Sequence, residues 1–319
     1  MTIERPVLSH ESINEDVQRF IRYLRGEENI SNSVTIPNIL ISNIEKKLQL
    51  LSPIRALAKV TQTSHDKLDV VIDDNSNESS GWVTNSLINT QDTSCLSKVS
   101  INLHQLYSKP RVVSSILEDE YSKVEEIIQD KITLQMAAAE NKAFLYGDGI
   151  NQPKGILKYN ITTKDYKMDS NTIEGVVGGN NGSIDYLKLI ELMNKLPTKY
   201  LYCAYWLMSR NVASQLKTIK DQSSGKFIWQ NAMLQNVPDT LLGYPVVICE
   251  DMPSLNDNSK KYCPILFGNF YDGYQIAEKP EIKILKDPYN AKPFVEFYAT
   301  KRVGGDVIDF NAIKALVLQ

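Results

Sequence analysis

The chain has 319 residues, 42% of them hydrophobic and 23% charged, ordinary globular values for one large domain or two modest ones. A net charge of −3 and a pI near 5.8 exclude a dedicated nucleic-acid reader, so any DNA partner would be packed cargo. Cys95, Cys203, Cys249 and Cys263 show no CxxC spacing and read as buried thiols. No basic leader and no run of ~18 apolar residues points to secretion or a membrane, so the expected site of synthesis is the cytoplasm.

Residues 12–26 predict a short helix. Ser12 and Glu15 make a capping box, Ile13, Val17, Phe20 and Leu24 share a face, and Gly26 stops it. One amphipathic helix cannot form a core, so this segment is an arm. Its other face, with Arg19, Arg22 and Arg25, is read as solvated in preference to a phosphate contact. Pro37 opens a second helix that Ser52 and Pro53 are expected to close near Leu51.

From Ala58 to Leu106 thin apolar runs at 59–63, 67–72, 82–84 and 98–103 alternate with polar, turn-rich stretches. The pattern predicts an extended hairpin without a core of its own, suited to contact with another subunit. Ser115 and Glu118 then cap a long helix. Its expected apolar face is Leu117, Tyr121, Val124, Ile128, Ile132, Met136, Ala139 and Ala143, and Gly147-Asp148-Gly149 ends it after Tyr146. Such a helix would be about 45 Å long and act as a spine. An α/β stretch follows, with helices expected at 184–196 and after Ser209 and strands at 201–208 and 245–249. The last third is mostly strand, at 265–267, 273–277, 282–285, 294–303 and 313–318.

Motifs for chemistry fail one after another. The three histidines, His10, His65 and His104, are not spaced as a ligand pair, and HExxH, the P-loop and GxSxG are absent. Ser64-His65-Asp66 holds triad residue types, but neighbours on a strand face opposite ways; Ser64 with Lys67 is a chance SxxK. Asp73, Asn75 and Asn77 imitate a calcium loop, yet Glu78 stands where Gly is needed and Thr84 where Glu is needed. The glycine-rich 175–182 follows the polar segment 167–174 and not an apolar strand, so it reads as a surface loop and not as an anion cradle. No catalytic, cofactor-binding or metal residue is assigned.

Serial motifs then carry a resemblance. Val113-Ser114-Ser115 with Leu117-Glu118-Asp119, Ala139-Glu140-Asn141, Phe144 through Gly149, Gln152-Pro153 and Gly155-Ile156-Leu157 resemble the spine helix and following turn of HK97-like major capsid proteins of tailed bacteriophages. The likeness runs on through Trp206-Leu207-Met208-Ser209, Leu216, Lys220-Asp221, Gly225 and Trp229-Gln230. It continues in Leu241-Leu242-Gly243, Pro245-Val246-Val247, Glu250-Asp251-Met252-Pro253, Phe267-Gly268-Asn269-Phe270, Arg302-Val303-Gly304-Gly305 and Ala312, spanning about residues 37–319.

The resemblance implies an α+β, HK97-like capsid fold. Its parts would be an N-terminal arm (1–36), a peripheral domain with the spine helix (37–57, 107–154 and 268–319), an extended hairpin loop (58–106) and an axial α/β domain (155–267). It implies a structural subunit, not an enzyme, that assembles in the host bacterial cytoplasm into pentamers and hexamers of an icosahedral virion shell around double-stranded DNA. The implied partners are other copies of itself, a portal, scaffolding or a maturation protease, and DNA held without sequence reading; no membrane or cofactor is implied. The long charged scaffolding helix of the prototype does not precede the arm, which leaves a separate scaffold, none, or a removed one all open. An encapsulin-type shell around a protein cargo is the alternative. Some relatives crosslink through a hairpin lysine; Lys59, Lys67 and Lys98 qualify by region only, and solvated lysines are the favoured reading.

Overall fold

The structure, a computed structural model, describes residue 22 and residues 34–35, 38–73, 96–117, 124–163, 171–179, 184–220, 225, 227–230, 238–255 and 262–318. The expected arm helix, of which only Arg22 is described, and the expected run at 82–84 lie outside these residues, as do His10, Cys95 and the Glu118 half of the capping box.

Strand β1 (Val34–Thr35) precedes helix α1 (Asn38–Leu51) and the short α2 (Pro53–Leu57). The helix α1 ends at Leu51, as expected from Ser52 and Pro53, and Pro53 in addition opens α2, where the first helical position makes no intrahelical N–H bond for proline to lose. The chain continues as β2 (Lys59–Gln62), β3 (Lys67–Asp73), β4 (Leu96–Asn102), β5 (His104–Ser108) and β6 (Arg111–Val113). After a single turn, α3 (Ser114–Leu117), comes the spine α4 (Val124–Tyr146), 23 residues and so about 35 Å long.

The buried face of α4 carries Ile128, Ile132, Met136, Ala137, Phe144 and Leu145, together with Thr133, Glu140 and Asn141. Ala139, expected inside, is exposed. Beyond Met136 the buried stripe follows i+4 steps through Glu140 to Phe144, a route hidden from sequence patterning by the charge at its centre.

A 3-10 turn (Ile156–Lys158) leads to β7 (Asn160–Thr162) and β8 (Thr172–Val177), then to α5 (Tyr186–Asn194), α6 (Thr198–Leu201), β9 (Tyr205–Met208) and α7 (Arg210–Leu216). The remaining elements are β10 (Trp229–Gln230), β11 (Thr240–Leu241), β12 (Tyr244–Ile248), β13 (Tyr262–Gly268), α8 (Phe270–Gly273), β14 (Tyr274–Glu278), β15 (Lys283–Asp287), β16 (Phe294–Val307) and β17 (Ile313–Leu318). Asp185 caps α5 by accepting from Leu187 N, and Asn269 caps α8 by accepting from Tyr271 N and Asp272 N.

Two large sheets result. The seven-stranded sheet is organised by β16: β14 and β15 lie end to end along one edge of it and β5 and β6 along the other. β5 and β6 keep one register across the break at Lys109-Pro110, and Phe297 N donates to Pro110 O there. Its inner face, with Ile284, Val295, Phe297 and Ala299, packs on Ile128, Ile132 and Met136 of α4.

The eight-stranded sheet runs β10-β11-β12-β9-β13-β17-β8-β7. β17 was expected among the peripheral closing strands, yet it lies in this second sheet, antiparallel to β13 and parallel to β8. A third core cluster, with Ile54, Phe144, Ile156, Leu207, Leu266, Tyr274, Val303 and Ile313, joins elements of both sheets to α2 and the end of α4.

Close backbone packing explains the glycines of the turn after α4. A Cβ on Gly147 would stand 1.8 Å from Pro153 O, and one on Gly155 would stand 2.4 Å from Leu145 O, so only glycine lets the returning strand of this turn lie against the helix end.

Candidate assembly surfaces

β3 and β4 pair in continuous register from Lys67↔Asn102 to Asp73↔Leu96 and form a separate two-stranded ribbon. Strand alternation sets Leu68, Val70 and Ile72 across from Ile101, Val99 and Ser97 on one face. Ile101 is buried, but Leu68, Val70, Ile72 and Val99 belong to none of the core clusters of the described residues. On the other face Val71 is 64% exposed. The ribbon thus has an apolar face that is only half-buried, outside the core clusters of the described residues.

The root of the ribbon is better anchored. Asp66 forms ion pairs with Lys279 Nζ at 2.7 Å and with Arg302, and these two cations, with the hydrogen bonds they donate, hold its carboxyl below the usual range. Leu103 N donates to Asp66 O at 2.9 Å, and Thr63 N donates to Glu278 O at 2.9 Å. An open cavity of about 440 Å³ lies beside the root, lined by Asp66, Gln105, Lys279, Lys283, Thr300 and Arg302 among others.

Between α4 and the seven-stranded sheet lies a buried ion network. Arg55 donates through Nε and Nη2 to the two oxygens of Glu140 at 2.9 and 3.0 Å, and through Nη1 to Glu278 at 2.8 Å. Lys301 Nζ stands 2.7 Å from Glu278 and 3.9 Å from Glu140, and all four side chains are at most 3% exposed. Burial works against the charge on Arg55 and on Glu278, but the opposite charges outweigh it: the guanidinium pKa is raised and the Glu278 carboxyl is lowered. Two cations and two carboxylates thus clamp α2, α4, β14 and β16 together.

The outer face of the same sheet is open at Tyr107, 59% exposed, which stacks on Tyr298 at 6.0 Å, with Lys109 Nζ 5.6 and 5.2 Å from the two ring centroids. Leu285, opposite Tyr298, and Phe294 are also exposed there.

The residue types suited to chemistry are placed apart or otherwise engaged. Ser64, His65 and Asp66 lie in the bend between β2 and β3, not on a strand as expected; no triad forms, because the Asp66 carboxylate is taken by Lys279 and Arg302. His104 pairs with Val303 in the sheet, and burial lowers its pKa. Asp73 ends β3, while Asn75 and Asn77 fall outside the described residues. Lys67 and Lys98 lie 3.8 and 2.8 Å from Asp69, exposed and ion-paired, and Lys59 is exposed on β2.

The start of the expected glycine-rich loop is instead strand. Gly175 lies within β8 between β7 and β17, where Ile173 and Val176 are buried, and residues 180–183 are outside the described set. Asp185 places a carboxylate at the start of the following helix, which opposes an anion there. Cys249 and Cys263 are free and buried, and burial pushes the Cys263 thiol up to about 12; Cys203 is free and half-buried. Among the described residues no group of three or more His, Cys, Asp or Glu is placed to hold a metal, and no helix is long and apolar enough to cross a membrane.

Comparison with known proteins gives a consistent result. Residues 32–318 match the model of the phage capsid family. The capsid of an empty GTA particle is 32% identical with a TM-score of 0.72, the alignment covering 84% of this chain and 90% of that one. The capsid of a native GTA particle is 32% identical, with a TM-score of 0.69 and coverage of 85% and 90%. The holo-SrpI encapsulin of Synechococcus elongatus shares the fold at 14% identity, with a TM-score of 0.56 and coverage of 84% and 88%. No curated protein matches in sequence.

Proposed function

The chain belongs to the phage capsid family, and on that premise we propose that its copies assemble as hexamers and pentamers into an icosahedral shell enclosing double-stranded DNA. It is a structural capsid subunit with a mixed α/β, HK97-like fold, and not an enzyme. The observation that carries the assembly reading is the β3–β4 ribbon, whose apolar residues Leu68, Val70, Ile72 and Val99 belong to none of the core clusters of the described residues. An isolated two-stranded hairpin is marginally stable in water, so a ribbon of this length gains most from a surface on a neighbour.

Within this reading the seven-stranded sheet with α1 and α4 is the peripheral domain. The eight-stranded sheet, including β17, is the axial domain near the capsomer centre. The β3–β4 ribbon is the extended loop laid over a neighbouring subunit, and residues 1–36 are the arm, whose end at β1 joins the seven-stranded sheet beside β15. Similarity to GTA capsids computed with C5 symmetry supports a pentameric vertex. The net charge of −3 gives no overall basic excess, which fits DNA enclosed as cargo and not read by sequence. A portal and a scaffold or maturation protease complete the expected set of partners, with assembly in the bacterial cytoplasm and residence in the virion.

The test is size-exclusion chromatography with negative-stain imaging across a range of salt, with and without a scaffold. Closed shells with pentameric and hexameric capsomers are expected, and persistent monomers in every condition overturn the reading. Double-stranded DNA inside native particles supports the capsid function; a protein cargo supports the encapsulin alternative.

A further inference from the structure

We propose that Asp66 is the positioning residue of the β3–β4 ribbon: by bridging Lys279 and Arg302 it biases the angle at which the ribbon leaves the seven-stranded sheet. The inference rests on the assembly reading above, since it concerns the pose in which the ribbon is offered to a second copy of the chain.

A two-stranded ribbon attached at one point can swing about it, whereas attachment at the base of both strands defines a direction. The base of β4 is pinned by packing. A Cβ on Gly304 of β16 would stand 2.2 Å from Asn102 O, so the backbone of β4 lies directly on β16, and Ile101 beside it is 1% exposed.

The base of β3 has no comparable packing. Residues 64–66 are exposed, and beyond the end of the β2–β14 pairing at Gln62 this end is tied, among the described residues, by the Thr63 N to Glu278 O bond, the Leu103 N to Asp66 O bond and the Asp66 carboxylate. That carboxylate takes its two cations from adjacent strands, Lys279 directly after β14 and Arg302 within β16, where Lys279 N donates to Arg302 O at 3.0 Å. One side chain therefore reaches two neighbouring strands of the sheet from the foot of the ribbon.

An exposed ion pair adds little to folding stability and is screened by salt. At this position that weakness has a use, because the carboxylate acts on the direction of a lever and not on the core. The second pin can bias the ribbon without locking it, and the adjoining cavity leaves room for the foot to shift.

Asp66→Asn removes the charge while keeping the backbone carbonyl that accepts from Leu103. In the unassembled subunit at low salt, hydrogen exchange at the Thr63 and Leu103 amides is expected to rise several-fold in Asp66→Asn, while Asp66→Glu stays near the wild type. Amides of α4 should not change. Wild-type exchange at these two amides should approach that of Asp66→Asn near 1 M salt, where the screening length falls to about 3 Å. In assembly, Asp66→Asn should give fewer closed shells and a broader range of diameters, again rescued by Asp66→Glu.

Wild-type exchange in Asp66→Asn overturns the proposal, as does faster exchange with unaltered shells, since the ribbon's pose would then not depend on this pin. If the wild type itself forms no shells, the assembly reading fails, while the exchange experiment still decides whether Asp66 pins the root.

Discussion

Glu140 lies one turn beyond Met136 on the buried side of α4, a position that an amphipathic pattern reserves for an apolar residue. It is tolerated because Arg55 presents a two-pronged donor to it, with Glu278 and Lys301 completing the set. Buried ions of this kind are weak evidence for net stability, yet removing one member leaves its partners buried and uncompensated. Glu278→Gln should therefore cost about 3 to 5 kcal/mol at neutral pH, read from denaturant unfolding. The same residue carries a pH dependence. Burial alone would raise the Glu278 carboxyl, but Lys301 and Arg55 hold it below its ordinary value. A carboxylate depressed by folding contributes fully above its unfolded pKa of about 4.3 and loses that contribution as pH falls through the lower folded value. Nearby Glu45 is pushed up by burial and by Glu278, so its contribution runs the opposite way. The wild type should thus lose stability below about pH 4.3, and Glu278→Gln should lose less over the same interval. Equal acid slopes in the two proteins would show that Glu278 is not coupled to folding in this way.

At the scale of elements, α4 is the member that the seven-stranded sheet packs against, through Ile128, Ile132 and Met136 on Ile284, Phe297 and Ala299. Ile132→Ala should cost about 2 to 5 kcal/mol, because the site is fully enclosed and has little freedom to collapse. Leu134→Ala, on the 55% exposed side of the same helix, should change stability by less than about 0.5 kcal/mol. Similar losses at both positions would mean that the helix does not face the sheet in this orientation. Ile128, Ile132 and Met136 were legible in the sequence because their spacing and apolar chemistry agree. The stripe beyond them was not, since Glu140 and Asn141 are buried for their partners, and those partners lie far off: Arg55 is 85 positions from Glu140 along the chain. Strand identity was largely legible in the last third, where apolar runs are bounded by turn residues. Sheet membership was not, and β17 shows why: an all-buried strand carries no alternation to say which sheet it enters. The end of α1 at Leu51 was legible from Ser52 and Pro53; the short α2 that Pro53 also opens was not, because five residues are too few to show a helical period.

For the whole molecule, the ribbon was legible as a part without a core because its apolar runs are thin, while its root was not. Asp66 sits in an ordinary polar turn, and its Arg302 partner is 236 positions away. That distinction between ribbon and root decides how the assembly surface should be removed. Asp66, Ile101 and Asn102 belong to the attachment, so replacement of residues 68–99 by a short Gly/Ser turn cuts the exposed ribbon and spares its foot. The three core clusters contain none of the described residues of that segment, so circular dichroism and cooperative melting of the truncated subunit should remain close to those of the parent. Shells should fail to close or should break under mild salt or heat, because the deleted contact would recur at every subunit around every capsomer. A truncated protein that melts early or aggregates would place the ribbon in the subunit core, against the exposed face of Val71 and the half-buried face of Leu68, Val70 and Val99. One that forms shells as robust as the parent would move adhesion to the open sheet face around Tyr107 and Tyr298, where the exposed stack and the Lys109 ammonium are the next surface available to a second copy.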